Sequence, residues 1–186
     1  MKKFLLLFIL IFGSAADIYA EPNRIFSGNK DAKIIIIAYE SLTCNHCANF
    51  HKNVYPQLKK EYIDKGLVKI EFRNFPLDIA AFNASKIAQC KQDQSLEILE
   101  SLYSNQQAWV KGSSETEINN NLEKYLKKKG FNINFEECIN NKEIEDFILN
   151  DRIEGVKKFK VNATPTIIIN NKKFDKTLNY ENLKKN

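Results

Sequence analysis

Polar and apolar positions along the chain fall into three regimes. The first is an unbroken apolar run from Phe4 to Phe12, preceded by Lys2 and Lys3 and followed by small residues ending at Ala20. A charged start, a short apolar stretch and a small-residue cut site are the marks of a secretory leader. The run is shorter than the roughly twenty apolar residues that span a bilayer. Residues 1–20 are therefore read as a signal peptide cleaved after Ala20. No cysteine lies near that cut, which argues against a lipid-anchored form.

The second regime has strand character. Residues 24–33 read as a short strand and a turn at Gly28-Asn29. The run Lys33 to Tyr39 (KIIIIAY) is apolar and β-branched, which suits a strand buried on both faces of a sheet. Residues 67–75 (LVKIEFRNF) alternate and predict a second core strand. Between the two, Cys47, Phe50, Val54, Leu58 and Tyr62 recur at helical spacing. This predicts a helix from about Asn45 to Ile63, kinked at Pro56, where a backbone donor is missing. Strand, helix and strand make a right-handed βαβ unit with parallel strands.

From about Asp78 to Lys160 every periodic signal is helical, the third regime. Ser113 to Glu117 has the hydroxyl and carboxylate residues of a helix start. In the last of these helices Ile144, Phe147, Ile148 and Val156 fall roughly on one face. Sheet character returns at residues 164–174, where an Asn170-Asn171 turn joins two strands in a hairpin, and a short helix from Tyr180 follows. The expected class is α/β. A sheet domain made of residues 21–76 and 161–186 is split by an all-helical insertion, 77–160.

Composition changes this picture little. The chain has 186 residues, 44% hydrophobic and 27% charged, which is ordinary for one soluble domain. The formal net charge is +5. Its densest basic cluster, Lys127-Lys128-Lys129 before Gly130, belongs at a helix end, where cations favour the dipole. Nucleic acid is not an expected partner.

The candidate chemistry lies in SLTCNHCANFH, residues 41–51. Cys44 follows a buried strand and begins a helix, whose unpaired N–H groups favour a thiolate. Cys47 lies one turn further in, near enough to close a disulfide with it. A protonated His46 beside the Cys44 sulfur would stabilise the thiolate further, and Asn45 fills the remaining place between the cysteines. Stabilising the thiolate stabilises the reduced form and makes the disulfide a stronger oxidant. The competing zinc site, Cys44 and Cys47 with His46 or His51, lacks a second pair of ligands at the usual spacing. A structural disulfide over two intervening residues closes too small a loop to stabilise much. His51 reads more simply as a half-exposed helix residue than as a group tuning Cys47.

Four cysteines permit three pairings. If Cys44 and Cys47 pair with each other, Cys90 is left with Cys138, and an even number suits an exported chain. In NATPTIII, Pro165 begins a strand. A cis bond there would leave backbone groups free for an incoming peptide, and the stretch alone is equally compatible with a trans proline.

Taken together, SLTCNHCANFH, FRNFPLD (72–78), the helical insertion and VNATPTIIIN (161–170) resemble the DsbA family of thiol–disulfide oxidoreductases, with a thioredoxin fold. The resemblance implies that Cys44 is the exposed nucleophile and Cys47 the resolving thiol. It implies a cis Thr164-Pro165 bond packed beside them, Thr164 touching substrate backbone, and Leu42 and Thr43 bordering the docking surface with Thr164 and Pro165. Cys90 and Cys138 resemble a non-catalytic disulfide of some members. A closed loop of about 49 residues would be worth about 4 kcal/mol in the chain-entropy model.

The sequence departs from the family twice. Asn45 stands where proline is frequent, and Ala38 stands where a buried acid is frequent. Glu40, two residues on and on the same strand face, would replace that acid as a redox-tuning proton relay for Cys47. The expected activity is periplasmic disulfide introduction into unfolded or folding exported proteins with reduced cysteines. The enzyme would be a monomer without metal or cofactor, re-oxidised by a membrane oxidase. The alternatives are an isomerase or reductant of the same fold, a copper or zinc carrier using the same cysteines, and a peptide-binding chaperone with an idle cysteine pair.

Overall fold

The computed structural model describes residues 22–185; the expected leader lies outside them. Strands β1 (Ile25–Ser27), β2 (Ile34–Glu40), β3 (Val68–Asn74), β4 (Thr166–Ile169) and β5 (Lys172–Lys173) form one sheet in the order β1-β3-β2-β4-β5. β2 and β3 run parallel, and the other three pairings are antiparallel. Asn170 and Asn171 both take left-handed backbone angles, as a two-residue hairpin turn requires. With its flanking helices this mixed sheet is a thioredoxin fold. Among the described residues no helix is long and apolar enough to cross a membrane.

Side-chain alternation gives the sheet two different faces. Ile36 and Ala38 of β2 and Val68, Ile70 and Phe72 of β3 enter the main apolar cluster. The opposite side of β3 carries Lys69, Glu71 and Arg73, whose charges pair with one another and with Glu154. β2 is not buried along its whole length as its composition suggested. Pairing with β4 begins only at Ile36, so Ile34, paired with Val68 of β3, has no strand on its other side and is exposed.

The helix expected over residues 45–63 is broken. It runs as α1 (Asn45–Asn53) and α2 (Tyr55–Leu58), then closes in a π-helical turn, Lys59–Ile63. Pro56 has no N–H to continue the ladder and instead occupies the first turn of α2, where none is needed.

Six helices lie between β3 and β4: α3 (Ile79–Cys90), α4 (Ser95–Ser104), α5 (Gln106–Trp109), α6 (Glu115–Lys128), α7 (Phe135–Ile139) and α8 (Lys142–Phe159). A ninth helix, α9 (Tyr180–Lys184), ends the described chain. The inserted helices do not build a core of their own. Ile87, Ile98, Leu102, Trp109, Leu122 and Leu126 belong to the same apolar cluster as the sheet and α1. Cys90 and Cys138 are joined by a disulfide that ties α3 to α7.

On α8 the inward stripe is Ile144, Ile148, Asp151, Gly155 and Phe159. Val156, expected on that face, is 46% exposed. Gly155 takes the inward place instead because the helix lies directly on the Tyr39 ring. A Cβ at Gly155 would meet Tyr39 Cε1 at 2.8 Å. Tyr39 is fully buried and has no room to yield. Gly155→Ala should therefore cost about 1–3 kcal/mol of stability, despite the roughly 1 kcal/mol that alanine gains over glycine within a helix. Urea unfolding measures this; an unchanged midpoint would contradict the packing.

Candidate active site

β2 ends at Glu40, and a tight turn closed by the Cys44 N–H on the Ser41 carbonyl (3.0 Å) starts α1. Cys44 is the N-cap of α1, with extended backbone angles and no side-chain cap. The first-turn N–H groups are therefore free to serve its sulfur. Both Cys44 and Cys47 are free thiols in this structure; Cys44 is partly exposed and Cys47 fully buried.

The two thiols ionise very differently. Cys44 is drawn down to about 5. The hydrogen bond from the Cys47 thiol contributes most, working against burial, which raises it. The Thr164 hydroxyl and the backbone N–H groups of Cys47 and His46 add to the lowering. Cys47 is pushed far above the ordinary thiol range, first by burial, then by its hydrogen bond to Cys44 and by the charge of Glu40. One sulfur is thus an anion at neutral pH and the other stays protonated.

The chain entering β4 forms the opposite wall. The Thr164-Pro165 peptide bond is cis. As a thiol, Cys44 donates to the Thr164 carbonyl at 3.3 Å. Thr164 Oγ1 is buried without a partner in that state, which leaves it free to donate when Cys44 ionises. His46, Phe50, Thr164, Pro165 and Leu178 line a cleft of about 280 Å³ beside the sulfur. Asn45 and His46 are exposed, and His46 acts on Cys44 through its backbone N–H. Thr43 is partly exposed and donates to Asp78 Oδ2 at 2.7 Å. Asp78 also caps α3 through the Ala81 N–H.

Leu42 does not border this surface. It is 3% exposed and packs in the main cluster, because the turn after β2 directs it inward. Its carbonyl instead accepts from Gln106 Nε2 (2.7 Å), which also donates to the Cys44 carbonyl (3.1 Å).

Glu40 is buried, 4% exposed, on the same β2 face as Ala38. His51 is not half-exposed as its helix position suggested, for its side chain is only 6% exposed. His51 Nε2 lies 2.8 Å from Glu40 Oε2, and the ring stacks on Tyr103 at 4.1 Å between centroids. His51 lies on the helix its spacing predicts, but no local signal shows that Glu40 and Tyr103 converge there. Gln106 and Tyr103 went unrecognised, since both come from the helical insertion and neither forms a local motif.

A family profile described as "Thioredoxin" matches residues 20–186. A putative protein-disulfide oxidoreductase of Rickettsia bellii is 40% identical over 73 residues, which are 39% of this chain and 28% of that relative's length. The match to this relative thus spans well under half of it. The probable disulfide bond formation protein D of Bacillus anthracis is 26% identical over 159 residues, 83% of this chain and 73% of that one. The crystal structure of Wolbachia pipientis alpha-DsbA1 superposes with a TM-score of 0.77 at 29% identity, covering 88% of each chain.

The ionisation asymmetry predicts a distinct reactivity profile. Alkylation of the reduced protein by iodoacetamide should occur at Cys44, with a rate that breaks near pH 5 and stays high at neutral pH. A break near 8.5, that of an ordinary thiol, would contradict the geometry. The sequence motifs, the mixed sheet with its inserted helices and these likenesses agree: the chain belongs to the thioredoxin family and is a DsbA-like member of it.

Proposed function

We propose that this protein is an exported thiol–disulfide oxidoreductase that introduces disulfides into unfolded or folding polypeptides in the periplasm. The observation that carries the reading is the unequal cysteine pair, with a reachable, acidic Cys44 against a buried, weakly acidic Cys47.

In the oxidised enzyme a substrate thiolate attacks Cys44 Sγ. The Cys44–Cys47 bond breaks, Cys47 leaves and is protonated, and a substrate–Cys44 mixed disulfide forms. A second substrate thiolate then attacks the substrate's own sulfur and expels Cys44 as a thiolate. The low pKa of Cys44 makes it the better leaving group, so this second step favours product. The substrate gains a disulfide, and the enzyme holds the two electrons as a dithiol. A membrane oxidase would restore the disulfide.

Thr164 and Pro165 edge the docking surface beside the sulfur, together with Thr43 from the opposite side. Glu40 is the buried acid that serves Cys47. Cys90–Cys138 is structural, remote in role from the exchange. The acidity of Cys44 favours the oxidase over the isomerase or reductant, because it stabilises the dithiol form.

Equilibration with glutathione should give a potential far less negative than the about −270 mV of thioredoxin. Cys44→Ser should abolish oxidation of a reduced peptide, whereas Cys47→Ser, with Cys44 first converted to a mixed disulfide with glutathione, should exchange glutathione for the peptide and retain a covalent adduct at Cys44. A potential near that of thioredoxin would overturn the oxidase direction, and full activity in Cys44→Ser would overturn the chemistry.

A further inference from the structure

The exchange just described, on which this inference rests, has a proton problem. When Cys47 leaves the disulfide it is a thiolate with no exposed surface. When it attacks a mixed disulfide it must first shed its proton into the same closed surroundings. A charge held there without a partner costs several kcal/mol, so direct proton exchange with bulk water is slow at that sulfur.

Behind it lies a pair with the right chemistry. Glu40 is buried; its Oε2 lies 2.8 Å from His51 Nε2, the Tyr103 hydroxyl also reaches its carboxylate, and among the described residues Oε1 has no partner of good geometry. On the far side of the imidazole, Nδ1 is buried just behind the cleft wall and, among the described residues, is without a hydrogen-bond partner. The ring is clamped by Tyr103 on one face and by Phe72 and Tyr55 near its edges. It also forms part of the wall of a cleft of about 710 Å³ between α1–α2 and α4–α5. The titratable groups around it are Glu40 from β2, Tyr55 from α2, Glu100 and Tyr103 from α4, and Cys47 from its own helix. Lys52 and Lys59 stand on the cleft wall.

We propose that His51, acting through Glu40, carries the proton between Cys47 and this cleft. As Cys47 leaves, the neutral Glu40–His51 pair gives up one proton. The thiolate becomes a thiol, and the pair is left as a carboxylate beside a neutral imidazole. The imidazole then regains a proton from the cleft, restoring carboxylate and imidazolium. When Cys47 attacks, the same proton travels outward. The total charge inside the apolar enclosure is one negative on both sides of the first transfer. The desolvation cost is therefore nearly the same before and after, which direct release to water does not achieve. Among the described residues the proton on Nδ1 has no competing acceptor, and the stacked rings hold Nε2 on Glu40.

The test isolates the Cys47 step. Reduced full-length mature protein is mixed with glutathione disulfide. The initial bimolecular rate reports attack by Cys44, and the plateau rate at high glutathione disulfide reports ring closure by Cys47. His51→Gln keeps an N–H near the Nε2 position but cannot carry a proton. It should lower the plateau rate tenfold or more, within the usual reach of general acid–base catalysis, and leave the bimolecular rate within twofold. In the wild-type protein the plateau rate should slow about twofold or more in deuterated water. Three results would overturn the proposal: a folded His51→Gln with a wild-type plateau, both rates falling together as a merely structural role requires, or no solvent isotope effect in the wild-type protein. The isotope measurement stands even if the variant fails to fold. A wild-type protein inert to glutathione disulfide would instead remove the redox reading beneath it.

Discussion

The hydrogen bonds that converge on the Cys44 sulfur are the constraint on which the rest depends. The Cys47 thiol, two backbone N–H groups of the first turn of α1 and the Thr164 hydroxyl all serve one atom, against a burial term that opposes ionisation. Such donors stabilise an anion far more than a neutral sulfur. A disulfide has no anion to offer them, so the gain belongs to the dithiol state alone. The stored preference for that state is what would draw electrons out of a substrate. Stability in the reduced form and oxidising power in the other are one quantity seen from two sides.

Keeping those donors aimed requires pieces far apart in the chain. β2 ends so that the turn after it presents Cys44 at a helix start. The chain entering β4 brings Thr164 to the same sulfur. From the helical insertion, Gln106 fastens the carbonyls of Leu42 and Cys44, while Tyr103 stacks on the ring that meets Glu40. The insertion is therefore part of the site's frame, and its shared apolar cluster with the sheet explains why it can be. Burial of Cys47, its hydrogen bond to Cys44 and the charge of Glu40 raise its pKa while donors converge on Cys44, which separates the acidities of two sulfurs only one helical turn apart.

Much of this was legible wherever the signal is local. Alternation at Val68 to Asn74, the two asparagines of the hairpin and a cysteine pair at a strand-to-helix junction each carry their own physical rule. What escaped was set by tertiary contact. Val156 has helical phase in its favour, but Gly155 allows α8 to settle on Tyr39, and the stripe shifts by one position. Leu42 sits beside the catalytic motif, yet the turn points it into the core. His51 lies four residues beyond Cys47 and resembles any surface helix histidine until Glu40 is seen beneath it. Glu40 itself stood out only because Ala38, on the same face, occupies the place where an acid was expected.

The most direct measurement is the unfolding free energy of the reduced and the oxidised protein, each determined at pH 7 and at pH 4. The folded thiolate ionises near 5 and its unfolded counterpart near the ordinary thiol value. The extra stability of the reduced form is therefore fully present above that ordinary value and lost as pH falls through about 5. The reduced protein should be the more stable at pH 7, and its advantage should shrink at pH 4. A more stable oxidised protein at pH 7, or a difference unchanged between the two conditions, would contradict the account.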